Sequence, residues 1–434
     1  MPRIAYATRY LVGLVILLML VSAVNVADKE LLSPVAEVVR VDLQMTDTQL
    51  GATRSAVFLA ALLSQFLWGP LSDRWVRKNV IVIGTLIWSA ITWTTAFVAN
   101  FPQLLAARAA MSFAEGCFNP SSFALVTDSV SKKHHGLVLG LMSLTYPVGT
   151  AAALVIASLI GTAHWRQPFT YFGIAGISLG VLVLLFVREP MRGATEEAVD
   201  AVAGAYRGRF SFAEMRQVFR TRSALLGFGL DTCQASVNWT LAFWTPIYLT
   251  RYHIAPDADT AALGLLPAIL GFVLGALLGG WVIDRLKRHT ERAAAWVACI
   301  AMSGGLVMAF ITFNLFSLTG VMAAGFLLGI VAYMALPAVN VALFSVVPPE
   351  TKATTIATSN VILNLVIAVI SFLIGVVSDA SELRLAFSGV VLFMFGLGVV
   401  DSLFLLRTLP HDMARQKKWV EERVQPARPV LKQV

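Results

Sequence analysis

From residue 11 to residue 406 the chain is a succession of apolar stretches, parted by short breaks at proline, glycine and clusters of charge. Each stretch is close to the roughly 20 residues that an α-helix needs to cross a bilayer. The stretches fall at 11–38, 47–71, 79–99, 103–129, 136–160, 168–187, 223–250, 259–283, 293–313, 317–345, 353–377 and 385–406. Of the 434 residues 57% are hydrophobic and only 13% are charged, against about a quarter charged in soluble domains. The pattern predicts an all-α membrane protein with twelve transmembrane helices.

Where the charge lies excludes a nucleic-acid partner. The formal net charge is +8, but most of the basic residues fall on one side of the predicted spans. With the N-terminus inside, Arg74, Arg77, Lys78, Lys132, Lys133, Arg207, Arg209, Arg285, Arg288, Lys417 and Lys418 are cytoplasmic. Arg40, Arg166, Arg251 and Arg384 are left outside. This asymmetry is the positive-inside rule, and it places both termini in the cytoplasm of a plasma, bacterial inner, membrane. Cys117, Cys233 and Cys299 have no metal-ligand spacing and read as small core residues.

A polar, arginine-rich stretch divides the spans into six and six. The expected organisation is a first six-helix bundle over 1–187, a linker over 188–222, a second bundle over 223–407 and a cytoplasmic tail over 408–434. Within the linker, Ser211 and Glu214 have capping-box spacing, and Phe212, Met215, Val218 and Phe219 share one helical face, which predicts a surface amphipathic helix. A second capping box, Thr46 with Gln49, opens span two. Gly271, Gly275 and Gly279 at four-residue spacing predict close backbone approach in span eight. Pro147, Pro246, Pro267 and Pro337 interrupt other spans.

One motif occurs at equivalent points of both halves. Gly69, Asp73, Arg74 and Arg77 in GPLSDRWVR are matched by Gly280, Asp284, Arg285 and Arg288 in GWVIDRLKR. A charged hairpin repeated after the second span of each half marks a transporter built from repeats.

Charge inside a span costs about 2.5–3.5 kcal/mol even on insertion scales, so each such residue needs a partner or a cavity. Asp28 and Lys29 in span one, Arg54 in span two, and Arg108 and Glu115 in span four stand out. Arg108 and Glu115 are two turns apart on one face. Acidic groups in such a cavity would exchange protons, making Asp28 and Glu115 coupling candidates, while Lys29, Arg54 and Arg108 would face an anionic substrate. Two readings are open for several of these: Asp28 and Lys29 become an interfacial cluster if span one stops at Ala27, and Arg54 can snorkel to the headgroups. Arg108 is the expected modulator of Glu115. Asp231 and Asp401 read as solvated or capping. Tyr146, Asn238, Trp239, Trp244, Tyr333 and Asn364 are further substrate-binding candidates.

On these motifs the chain resembles the major facilitator superfamily over essentially its whole length. The resemblance implies two pseudo-symmetric six-helix bundles, with the hairpin's Asp and Arg latched to an acidic residue at the cytoplasmic end of span four, here Asp128. SDRWVRKNVIVIGTLIWS, NFPQLLAARAAMSFAEGCFNPSSFALVTD and LLFVREPMRGA look like the Spinster group, whose span-one and span-four charges match Asp28, Arg108 and Glu115, with Lys29 in place of an arginine. FWTPIYL and EGCFNP are similar to the anion and cation symporter family as well. What these imply is a proton-coupled secondary transporter of an amphiphilic or anionic molecule, lysophospholipid- or sphingolipid-like. Alternatives are proton symport of organic anions such as sugar acids, multidrug/proton antiport, or uncoupled facilitation. No cofactor beyond the coupling proton is expected, and no partner beyond the substrate and membrane lipids; a monomer is expected. There is no Walker motif and no catalytic constellation, so the chain is not expected to be an enzyme.

Overall fold

The computed structural model describes residues 8–130, 134–160, 162–189, 218–347 and 351–424, and every regular element among them is helical. In chain order these are α1 (Thr8–Glu30), α2 (Leu32–Asp42), α3 (Asp47–Arg74), α4 (Arg77–Thr95), α5 (Phe101–Glu115), α6 (Phe118–Ser129), α7 (His135–Ser143), α8 (Thr145–Ile160), α9 (Arg166–Phe186), α10 (Arg222–Arg251), α11 (Ala258–Leu263), α12 (Leu266–Leu286), α13 (Ala293–Phe313), α14 (Leu318–Tyr333), α15 (Ala335–Val346), α16 (Lys352–Ala380) and α17 (Leu383–Val424). Nine helices among the described residues are long and apolar enough to cross a membrane. The amphipathic helix expected in the linker lies outside the described residues, except for Val218 and Phe219.

Proline explains why several spans come in two pieces. Pro34, Pro120, Pro147, Pro267 and Pro337 each lie within the first three residues of a helix that follows a short break: α2, α6, α8, α12 and α15. Proline has no N–H to give the carbonyl four residues earlier, and its ring crowds that carbonyl, so the preceding helix ends there. Pro246 and Pro410 instead sit inside α10 and α17. Span one therefore runs from α1 through a single turn residue, Leu31, into α2, beyond the limits of 11–38 read from the sequence.

The chain forms two compact units. The first is Met1–Arg207 with Ala242–Leu266 and Ile367–Phe387. Its core is built from Leu18, Ile81, Trp88, Met111, Phe118 and their neighbours, with Trp88 edge-on to Phe118. One end of this unit is tied by charge. Arg251 at the end of α10 donates to both Asp47 oxygens, at 2.5 and 2.9 Å, and to Glu37 at 2.7 Å. Asp379 accepts the Asp47 and Thr48 N–H groups at 2.9 and 2.8 Å, neutralising the exposed donors at the start of α3. Thr46 and Gln49 close the expected capping box beside them. Gly51 and Gly375 are needed here because a Cβ on either would strike the backbone of α16 or α3, at Ser371 and Asp47 respectively.

The second unit is Gly208–Leu241, Pro267–Val366 and Ser388–Val434. In α12, a Cβ on Gly271, Gly275 or Gly279 would strike the carbonyls of Phe326, Ile330 or Met334, so the glycine face lies directly on α14 and on the turn at Met334 that follows it, a close approach of the kind the spacing predicted. The opposite face of α12 exposes Leu270, Leu274, Leu277, Leu278 and Trp281. A continuous exposed apolar stripe of this kind suits contact with lipid.

Candidate functional site

Three consecutive charged residues, Asp28, Lys29 and Glu30, stand at the end of α1 in the first unit. Successive helical residues point about 100° apart, so the three side chains reach different neighbours. Each finds an ion-pair partner on another helix. Asp28 pairs with Arg108 of α5 at 3.2 Å, Lys29 with Glu115 at the end of α5 at 3.3 Å, and Glu30 with Arg54 of α3 at 3.0 Å. Three acids and three bases thus form a set with no formal net charge, all but Lys29 buried.

The helix break organises this set. At Leu31 the regular bonding stops, and Leu31 N–H turns back to the Asp28 carbonyl at 3.3 Å. Two arginines supply donors to the carbonyls freed there. Arg108 Nη2 donates to the Asp28 and Lys29 carbonyls at 2.8 and 3.1 Å, and Arg54 Nη1 to the Lys29 carbonyl at 3.3 Å. A guanidinium can do this while also holding a carboxylate because its donors lie in a rigid fork. Arg54 lies between the rings of Phe58 and Phe243, at 5.1 and 4.9 Å, and Arg108 is over Phe169 at 5.7 Å. Thr92 Oγ1 donates to the other Asp28 oxygen.

Lys29 differs from the rest. Its side chain is 23% exposed, whereas those of Asp28, Glu30, Arg54, Arg108 and Glu115 are all at 3% or below. Its ammonium also donates to Asn25 Oδ1 at 3.3 Å. Neither oxygen of Glu115 accepts a hydrogen bond of regular geometry, so the ammonium is its main compensation. Arg108 gives its hydrogen bonds to Asp28 and the break, and Lys29 is the cation paired directly with Glu115; the charge of Arg108 still acts on Glu115 from further away. The helix also passes Ala27 and runs to Glu30, and Asp28 is buried against its partners on neighbouring helices. Glu30 was missed, although the rule that flags charge within a span applies to it as much as to its neighbours. Tyr146 is half-buried in the first turn of α8. Trp244 is 1% exposed and packs edge-on against Phe243 as core.

In the first hairpin, Arg77 forms an ion pair with Asp128 and donates to the Ala124 carbonyl at 3.1 Å. Glu189, which the sequence reading did not single out, accepts the N–H groups of Arg77 and Lys78 at 3.0 and 2.8 Å. Gly69, Asp73 and Arg74 lie outside the residues whose side chains are described. The second copy is built differently. Asp284 is exposed and reaches Lys287 at 3.8 Å, Arg285 lies over Trp281 at 5.4 Å, Arg288 is exposed, and Gly280 has open space beside it.

The remaining candidates belong to the second unit. Asn238 is buried, Trp239 and Asn364 are half-buried, and the Asn364 amide donates to the Asn360 carbonyl at 2.7 Å. Tyr333 stacks on Phe272 with centroids 4.3 Å apart. Asp231 and Asp401, expected to be solvated or capping, are instead partly buried. Ser359 of α16 donates to Asp231, and the carboxylate of Asp401 occupies the space that a Cβ on Gly229 would fill. Among the described residues no group of histidine, cysteine and carboxylate side chains could hold a metal.

The sequence pattern of the Major Facilitator Superfamily matches residues 18–370. The "Probable L-galactonate transporter" of Escherichia coli (strain K12) is 28% identical over 282 residues, covering 63% of this chain and 61% of that protein. The "Sphingosine-1-phosphate transporter SPNS2" of Danio rerio is 22% identical over 309 residues, covering 67% and 60%. The matched segments thus span about three fifths of these relatives' length. In fold, the chain is similar to a bacterial homologue of the human lysosomal transporter Spinster, crystallised in an inward-facing, unoccupied conformation. The TM-score is 0.83 at 19% identity, over 94% of this chain and 99% of that one.

Proposed function

This chain belongs to the Major Facilitator Superfamily of multi-pass membrane transporters, and from that premise we propose that it is a proton-coupled secondary transporter of an anionic or amphiphilic small molecule. In this reading twelve spans form two six-helix bundles with both termini in the cytoplasm. Alternating access is controlled by Arg77 and Asp128 near the inner side and by the Arg251, Glu37, Asp47 and Asp379 cluster near the outer side.

The observation that carries the coupling is the Lys29–Glu115 pair at 3.3 Å. An anion arriving at the partly exposed ammonium competes with Glu115 for it. A carboxylate left buried without a counter-charge costs several kcal/mol, so Glu115 takes a proton as the anion binds. When the substrate leaves, the proton leaves, the pair re-forms, and the empty carrier returns without net charge in the site.

Two substrate classes fit: a lysophospholipid- or sphingolipid-like amphiphile, or a sugar acid. A single ammonium at Lys29 offers one point charge and no bidentate grip on either a phosphate or a carboxylate, and the 28% identity to a probable L-galactonate transporter supports trying a monocarboxylate such as an aldonate first. The test is uptake of L-galactonate and of a lysophospholipid into proteoliposomes under an imposed proton gradient. Glu115→Gln is expected to abolish gradient-driven accumulation while leaving exchange of internal for external substrate. Accumulation that survives in Glu115→Gln would rule out coupling through this residue.

A further inference from the structure

The Lys29–Glu115 exchange needs only two of the six charges, and it leaves the Glu30–Arg54 pair without an assigned task. Resting on the transport reading above, we propose that Glu30 is a positioning residue that sets the charge balance of the site, and through it the requirement for a proton. Glu30 does this by neutralising Arg54.

The ionisable groups at this level of span one and of the helices packed on it are Asp28, Lys29, Glu30, Arg54, Arg108 and Glu115, together with Cys117 and Tyr146. Glu37, Arg40, Asp47 and Arg251 lie further along, at the cluster beyond α2. With the six charged groups paired, any added anion leaves one negative charge uncompensated, and a proton restores neutrality. Arg54 cannot meet the anion itself, because its guanidinium is committed to Glu30 at 3.0 and 3.3 Å and to the Lys29 carbonyl, and is enclosed between Phe58 and Phe243. If Glu30 lost its charge, Arg54 would keep its own and the site would become net positive. The anion would then bind without a proton.

Glu30 also acts on Lys29 through geometry. Arg54 touches the Lys29 backbone carbonyl, so the same side chain that Glu30 neutralises fixes the residue whose ammonium the substrate must reach. Arg54 is thus an internal counter-ion and a brace, and Glu30 decides which charge state the substrate sees.

The test uses the full chain, purified and in proteoliposomes, with L-galactonate as the probe. The variants are Glu30→Gln, Glu30→Asp, Arg54→Gln and the double Glu30→Gln/Arg54→Gln. Thermal stabilisation by galactonate is measured at acid and at alkaline pH, and uptake is driven by a proton gradient with the membrane potential clamped at zero. Wild type and Glu30→Asp are expected to be stabilised chiefly at acid pH. Wild type should accumulate galactonate about tenfold for each pH unit of gradient, the limit for one proton per anion.

Glu30→Gln is expected to bind galactonate equally at both pH values and to bring uptake only to equilibrium. The double variant, neutral again and with the Lys29 carbonyl still held by Arg108 at 3.1 Å, is expected to recover acid-dependent binding and accumulation, which a merely structural role for Glu30 would not allow. Should Glu30→Gln fail to fold, Arg54→Gln makes the opposite change: binding weakens and moves further to acid pH. The proposal is overturned if Glu30→Gln keeps the wild-type pH dependence, or if the double variant behaves like Glu30→Gln. A wild type that never accumulates galactonate, beside a Glu30→Gln variant that gains pH-independent binding, would sink the transport reading and leave the charge-balance proposal standing.

Discussion

Replacing Arg108 by lysine keeps the charge and removes the fork, and the structure gives the size of the loss. Arg108 spends Nη1 on Asp28 Oδ1 at 3.2 Å and Nη2 on the carbonyls of Asp28 and Lys29 at 2.8 and 3.1 Å, at 1% exposure. A lysine ammonium can reach the carboxylate or the carbonyls, but not both. At least one buried carbonyl then loses a charge-assisted hydrogen bond, a loss of about 1.5–3 kcal/mol. Arg108→Gln goes further and leaves Asp28 buried without its cation, at about 3–5 kcal/mol. At about 2–4 °C per kcal/mol, as for a large domain, Arg108→Lys is expected to lower the midpoint of thermal unfolding by about 3–12 °C. The assay is thermal unfolding of the purified protein, extended to the cycle of Asp28→Asn, Arg108→Gln and the double variant. If the pair is what holds the break, the double variant is less destabilised than the two singles combined, by 1 kcal/mol or more. Additivity within about 0.5 kcal/mol, or a lysine variant as stable as wild type, would refute the reasoning.

Arg251→Ala removes three short hydrogen bonds from a partly exposed cluster; allowing for solvent screening, the loss is about 2 kcal/mol, or about 30-fold in the closed population. A thiol placed at Thr48 in a chain lacking the native cysteines should then react about that much faster, and an unchanged rate would deny the cluster a closing role. Gly275→Val drives a side chain into the Ile330 carbonyl and should cost about 1–3 kcal/mol or more, whereas Gly280→Ala, with no atom within 4 Å of the new Cβ, should stay within about 0.5 kcal/mol of wild type; thermal midpoints compare them. Trp244→Ala should cost about 3–5 kcal/mol as a core truncation, against little for the exposed Trp281→Ala, and equal effects would show that Trp244 is not packed as core.

Much of the helical architecture was legible because lipid imposes a single rule, a long apolar run for each crossing, and the chain obeys it. Asp28, Arg108 and Glu115 were legible for the same reason: charge in such a run demands an explanation. Their pairing was not legible. Spacing along α5 put Arg108 and Glu115 on one face, but an arginine's choice of partner depends on where the neighbouring helix breaks, and the break at Leu31 follows from Pro34 acting across span one. Glu37, Asp47, Arg251 and Asp379 were missed because each looks like an ordinary charge at the end of a span. What makes them a cluster is the approach of α3 to α16 at Gly51 and Gly375, which sequence periodicity does not encode.

The same break explains why five buried charges persist together beside Lys29. An intact helix through Leu31 would satisfy its own carbonyls and would need no arginine at that depth. Interrupted by Pro34, span one hands the Asp28 and Lys29 carbonyls to Arg108 and Arg54, and each arginine in turn requires a carboxylate, Asp28 or Glu30, to be tolerated out of water. The charges therefore come as pairs because the backbone calls for cations and burial calls for their neutralisation. Lys29 is the exception, since its ammonium makes no bond to the break. In the proposed reading it is the cation whose partner is exchanged without disturbing the joint between α1 and α2, and α2 is the segment that carries Glu37 to Arg251 and Ser33 to the Ala242 carbonyl. In the proposed transport reading, substrate chemistry and mechanical linkage thus share one short segment while using different side chains, and a substitution at Lys29 should alter what is carried, whereas one at Arg108 should alter whether the segment holds its shape.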